Sequence, residues 1–167
     1  MSKLSSDRLF LLNPYDDNHL KKIIIFEDEN KMTDKPSAHI KYLRENISEF
    51  DYFDTNKNDF EEILFTEKAG KITDCCYING ERDLKQCAIT PLNINNKNKR
   101  RYLPELAATY ALDTLNMEEA FVKVDVNDDN MINYLEMQGL KNIGEVGNNI
   151  ILAKDKEEKE NSRRMIS

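Results

Sequence analysis

The chain has no tryptophan, and its 167 residues include only three cysteines and two histidines. Three thiols, Cys75, Cys76 and Cys87, cannot all pair within one chain, and neighbours such as Cys75 and Cys76 point to opposite faces of a strand. A disulfide framework is therefore excluded, and reduced, buried thiols are the expectation. His19 and His39 have no ligand-like spacing, so neither a zinc centre nor a Ser/His/Asp or Cys/His catalytic unit is supported. Glycine is scarce too, at five residues. Neither G-x-G-x-x-G nor a Walker phosphate loop occurs, which argues against an ordinary Rossmann enzyme or a P-loop kinase. No apolar run approaches the roughly 18 to 20 residues that cross a bilayer. The opening "MSKLSSDRLFLLNPYDDNH" lacks the apolar core and cleavage site of a secretory signal, so a cytoplasmic location away from membranes is expected. Positive charge is in deficit, with a net charge of -7 and a pI near 5.0. Such a field repels a polyanion, so nucleic acid is not an expected partner, although a local basic loop can still hold a small phosphate ligand.

What is present reads as one mixed domain. The length suits a single core, here residues 1–153 followed by a charged tail, 154–167. "DRLFLL" alternates weakly as a first strand, and "NPYDD" ends it. Residues 19–26 fit a helix or a strand. "KPSAHIKYLRENISEF" carries a helical stripe of Ile40, Leu43, Ile47 and Phe50, with Pro36 in the first turn. Three strands follow near 61–66, 71–77 and 85–90, with reversals expected at Ala69-Gly70 and Asn79-Gly80. After the basic connection "NINNKNKRR", a helix runs through Leu103, Leu106, Ala107, Tyr110, Ala111 and Leu115. "AFVKVDV" alternates as a strand, a short helix surrounds Met131 and ends at Gly139, and "LKNIGEVGNNIILAK" adds strand material with a turn at Gly147. The order implies an α+β (mixed α/β) fold, with helices on both sides of one mostly antiparallel sheet.

"DVNDDNMINYLE" also matches a calcium loop. Asp125, Asn127, Asp129, Ile132 and Glu136 fall where an EF-hand wants its oxygens, its apolar residue and its bidentate acid, but Asn130 occupies the glycine position. The flanking segments argue against it, because 120–126 alternates like a strand. The better partner loop, "DTNKNDFEEILF", puts Phe65 where the bidentate acid belongs. An acidic joint in which Asp128 or Asp129 supports a helix start is the main expectation, with no metal site.

From residue 61 to residue 154 the chain resembles the GNAT superfamily of coenzyme-A-dependent N-acyltransferases. The resemblance is carried by "DDNMINYLEMQGLKNIGEV", by "TYALDTLNMEEAFVKVDV" and by the meander ending in "CAITPL". It implies a sheet whose fourth and fifth strands splay, with the pantothenate arm of acetyl-CoA or another acyl-CoA pairing to backbone near Ala88, Ile89 and Thr90. It implies that the loop before the helix holds the pyrophosphate. That loop lacks the family's glycines here, so Lys97, Asn98, Lys99, Arg100 and Arg101 would supply cations and hydrogen bonds instead. The family's thiolate-protonating tyrosine aligns with Leu135, which leaves Tyr134, one residue earlier, as the candidate acid. Glu81 and Asp83, with Asp74 beside them, are candidate bases for the amine.

The implied activity is direct acyl transfer, an amine attacking the thioester with no protein nucleophile, to a small-molecule amine or a peptide. Either a monomer or a homodimer is compatible. Two alternatives stay open: a GNAT-like binding module without transfer, and a calcium binder built on residues 125–136.

Overall fold

The computed structural model describes residues 9–92 and 103–156. Strand β1 (Leu9–Leu11) leads into helix α1 (Asp17–Glu29), whose N-terminus is capped by the Asp16 side chain accepting from the N–H groups of Asn18 and His19. The ambiguous segment 19–26 is therefore helical. Ile23 and Phe26 lie on its buried side, one helical turn apart. Helix α2 (Pro36–Asn46) follows, then a single turn α3 (Glu49–Tyr52). The helix expected to continue to Phe50 breaks at Ile47, whose φ of -134° and ψ of 133° are extended, and Ser48 caps the new turn. Phe50 consequently belongs to no core and is 81% exposed.

Strands β2 (Asp59–Lys68), β3 (Lys71–Glu81) and β4 (Gln86–Pro91) form the antiparallel meander. Ala69 and Gly70, with φ of 54° and 80°, make its first reversal as expected. The second reversal is not at Asn79-Gly80. Both residues lie inside β3, paired to Ala88 and Cys87 of β4, and the chain turns beyond Glu81 with Lys85 at a φ of 55°. Helix α4 (Leu103–Asp113), strand β5 (Glu119–Asp125), helix α5 (Asp129–Met137) and the hairpin β6 (Lys141–Val146) and β7 (Asn149–Asp155) complete the fold. Gly139 (φ 95°) closes α5 and Gly147 (φ 60°) turns the hairpin.

The seven strands form one sheet in the order β1-β2-β3-β4-β5-β7-β6, antiparallel except where β4 meets β5. One face packs Leu64, Cys76, Ile78, Ile89 and Val122 against Ala107, Ala111, Met131 and Leu135 of α4 and α5. The other packs Ile63, Phe65 and Cys75 against Ile23, Phe26 and Ile40 of α1 and α2. This is the mixed architecture expected, with helices on both faces. Cys75 and Cys76 point to opposite cores, and burial pushes all three free thiols up, Cys87 to about 12. They are inert packing groups at neutral pH.

Candidate active site

The site begins where β4 and β5 part. Their parallel pairing runs from Gln86 with Glu119 to Ile89 with Val122 and goes no further. Beyond it, Lys123, Val124 and Asp125 keep their partners on β7, while Thr90 and Pro91 keep theirs on β3. The cause is local. Leu92 N–H donates to Cys75 O at 3.1 Å, and hydrogen-bonded pairs alternate along an antiparallel ladder. The Cys76–Pro91 pair therefore turns its backbone groups outward, Pro91 toward β5. Proline has no N–H to offer there, so the ladder stops and a carbonyl faces the gap.

The same alternation sorts the three residues expected to present backbone. Ile89 turns its backbone groups toward β5, whereas Ala88 and Thr90 direct theirs toward Asn79 and Tyr77 on β3. Thr90 is the first of them past the last β4–β5 pair. Lys97, Asn98, Lys99, Arg100 and Arg101 lie outside the described residues.

On the face shared with α1 and α2, side chains fall into transverse rows. One reads Ile63, Tyr77, Thr90; the next Glu61, Asn79, Ala88, Phe121, Ala153; the third Asp59, Glu81, Gln86, Glu119, Asp155. The core under α1 and α2 extends to Cys75, Tyr77 and Leu92. Past it lies a cavity of about 480 Å³, lined by Asp59, Asn79, Glu81, Gln86, Ala88 and Phe121 among others. Gln86 donates its amide to Glu119 Oε1 at 2.9 Å, which fixes the centre of the acidic row.

Of the candidate bases, Glu81 lines this cavity. Asp83 sits in the turn after β3, where its carboxylate accepts from Leu84 N–H and its own N–H donates to Asn58 Oδ1, each at 2.8 Å. Asp74 is buried and accepts from Cys75 N–H. Tyr134 lies across the sheet from Glu81. It packs half-buried against the α4 side of the core, and burial, followed by the charge of Glu105 in the first turn of α4, raises its phenol. It is a protonated group at neutral pH. Leu135, the residue at the motif's tyrosine position, is fully buried at 0% exposure.

The candidate calcium stretch is a strand–turn–helix joint. Asp125 ends β5 and its carboxylate accepts from Asn127 N–H at 2.8 Å, while Asp128 caps α5 by accepting from Met131 N–H at 3.2 Å. No group of three or more metal-capable side chains occurs among the described residues, and no described helix is long and apolar enough to cross a membrane.

Sequence reasoning passed over one pair. His39 of α2 binds Glu61 of β2 through Nε2, stacks on Tyr42 and meets the Tyr77 ring edge-on at 5.9 Å between centroids. Histidine and glutamate are 22 residues apart and meet only through helix-on-sheet packing, so no spacing announces them.

No protein-family model and no curated protein sequence matches the chain. Solved structures do. The spermidine N-acetyltransferase of Vibrio cholerae superposes with a TM-score of 0.65 at 14% identity, covering 95% of this chain and 98% of that one. The Campylobacter jejuni N-acetyltransferase PseH in complex with acetyl coenzyme A gives 0.58 at 10% identity, covering 89% and 98%. Across nearly its whole length the chain has the fold of these acetyltransferases, the GNAT-like architecture.

Proposed function

We propose that the chain is an acetyl-CoA-dependent N-acyltransferase in which an amine attacks the thioester directly. The observation that carries this reading is the parting of β4 and β5 after Ile89 and Val122, beyond which Pro91 has no N–H to offer β5. An amide-rich arm laid in that gap would find the backbone of Ile89 and the carbonyl of Pro91, and would be oriented by them. Ala88 and Thr90 would flank it, and Lys97, Asn98, Lys99, Arg100 and Arg101 would meet the phosphates. Tyr134, neutral at working pH, would return a proton to the departing thiolate. No cysteine is needed as a nucleophile, in keeping with the burial of all three.

The acceptor in this reading is a small cationic amine or an amine-bearing peptide. Asp59, Glu81 and Glu119 line one row of the open face, and Phe121 offers a ring nearby, a surface that attracts ammonium groups. The shared fold with an enzyme named for spermidine acetylation supports the same class. Among the described residues strand β6 is paired on one side only, to β7, with Ile143 and Val146 exposed. A second copy would extend the sheet there.

Isothermal titration with acetyl-CoA and longer acyl-CoAs tests the reading. Saturable binding is expected, and folded protein that binds none of them overturns it. A second reading, binding without transfer, draws on the burial of Leu135 at the motif's tyrosine position. It is supported by acyl-CoA binding without thiol release in the presence of amines, and refuted by release.

A further inference from the structure

Three polar groups between α2, α3 and the sheet are left with unused valence or with access to solvent. His39 uses Nε2 on Glu61, and its Nδ1 makes no hydrogen bond among the described residues. The side chains of the pair are 37% and 24% exposed, so an entering molecule can reach them. Close by, the Tyr52 hydroxyl is buried with no partner among the described residues, in a residue only 6% exposed. Burial, then the charges of Glu61 and Glu62, push that phenol well above its ordinary range, so it is a proton donor in search of an acceptor.

The pair is placed by the register of the sheet. Glu61 pairs with Asn79 in the cavity floor, and Tyr77, against which His39 rests, pairs with Thr90 at the mouth of the gap. Strands lie about 4.8 Å apart, so His39, seated over β2 and β3 through Glu61 and Tyr77, stands one strand from Asn79 in the cavity floor and about two from Thr90. Glu81 lines the cavity one row further from the parting than Glu61, and Asp83 lies in the turn beyond it.

We infer that His39, oriented by Glu61, is the proton acceptor for the amine. This deepens the transferase reading and rests on it. An Nε2–H donated to the Glu61 carboxylate fixes the tautomer and leaves the Nδ1 lone pair free. An incoming R–NH3⁺ gives one proton to Nδ1. The neutral amine then forms the C–N bond, the C–S bond breaks, and the second nitrogen proton passes to the leaving thiolate, with Tyr134 as the group proposed to relay it. His39 returns its proton to solvent. Net, an ammonium and a thioester become an amide, a thiol and one proton. Glu61 is a positioning residue. Among the described residues, the other ionisable groups facing this corner include Tyr42 from α2, Tyr52 from α3 and Tyr77 from β3, with Glu62 and Tyr15 acting on Tyr52 and the carboxylates of Asp34 and Glu27 acting on Tyr77.

Long-range proton–nitrogen NMR of the free protein provides a readout independent of turnover. Neutral His39 is expected as the Nε2–H tautomer, and Glu61→Gln is expected to mix in Nδ1–H; a wild-type Nδ1–H tautomer overturns the assignment. Thiol release is then followed against pH with acetyl-CoA and n-butylamine, 1,4-diaminobutane and a lysine-containing peptide. His39→Gln is expected to bind acetyl-CoA like the wild type, to lose the acid limb of the profile, and to be slower by about 10²-fold at neutral pH. Glu61→Gln is expected to shift that limb. A His39→Gln chain as fast as wild type at every pH defeats the assignment alone. A wild-type chain that binds no acetyl-CoA, or that releases no thiol with any of the three amines, defeats the transferase reading and the assignment together.

Discussion

The ring of Phe60 lies so close over Gly80 that a Cβ at position 80 would stand 2.6 Å from Phe60 Cε1 and 2.8 Å from Cys87 Cβ. Phe60 in turn carries the Arg82 guanidinium over its ring, 4.6 Å from the centroid. Phe60 could swing aside, but the Cys87 Cβ is fixed by its own strand. Gly80→Ala is therefore expected to destabilise the protein by about 1–3 kcal/mol through overpacking, measured by urea unfolding. Phe60→Ala in the same background would relieve only part of the clash, so the double variant should stay below the Phe60→Ala single variant.

A buried acid ties α1 to α2. Glu27, 2% exposed, accepts from Ser37 N–H at 2.5 Å and from Ser37 Oγ at 2.8 Å, in the first turn of a helix whose own N-cap, Lys35, supplies no side-chain bond. Glu27→Ala leaves a buried donor unmet and is expected to cost roughly 1–3 kcal/mol. Ser37→Ala removes only the hydroxyl bond and should cost less. Equal losses in the two variants, read from denaturant midpoints, would contradict a capping role for Glu27.

These two contacts mark the boundary of what was legible in the sequence. Local patterns were readable: the alternation of β5, the Asp128 cap of α5, the Ala69-Gly70 reversal and the hairpin at Gly147 are each decided within a few residues. Asn79-Gly80 has turn chemistry, but the ring of Phe60 from the neighbouring strand claims the glycine, and packing outweighs local preference. Phe50 fits a helical stripe that ends three residues earlier, at Ile47. The candidate site was legible in part for the same reason. The splay was implied by a resemblance, but its local cause, Pro91, shows only once the register is known. His39 and Glu61 come from different elements, and their meeting depends on how α2 sits on the sheet.

Glu62 is the carboxylate whose ionisation should register in stability. Burial raises its pKa, while the hydrogen bond from Tyr110 Oη at 2.6 Å and the charge of Arg82 offset part of that rise. A raised carboxyl binds protons more tightly in the folded chain than in the unfolded one. Stability from this group is thus present at low pH and declines as pH climbs from the ordinary carboxylate range through the raised value. Glu62→Gln keeps an acceptor for Tyr110 and removes the ionisation. Its stability relative to wild type is expected to improve with rising pH across that window and then level off. Thermal melts from acid to neutral pH would show this; a constant difference between the two proteins would refute it.

Pro91 offers the most direct handle on the gap itself. Replacing it by alanine restores an N–H on the side facing β5, where Val124 and Asp125 continue beside it toward β7. The two strands can then pair for another residue or two, and each added bond contributes on the order of 1 kcal/mol. Pro91→Ala is accordingly expected to keep or raise thermal stability, to slow amide exchange at residues 91 and 123–125, and to weaken acetyl-CoA binding because the gap must be reopened. The combination is diagnostic. Slower exchange with unchanged affinity would show that the acyl-CoA does not use this gap, and unchanged exchange would show that something other than the missing N–H keeps β4 and β5 apart.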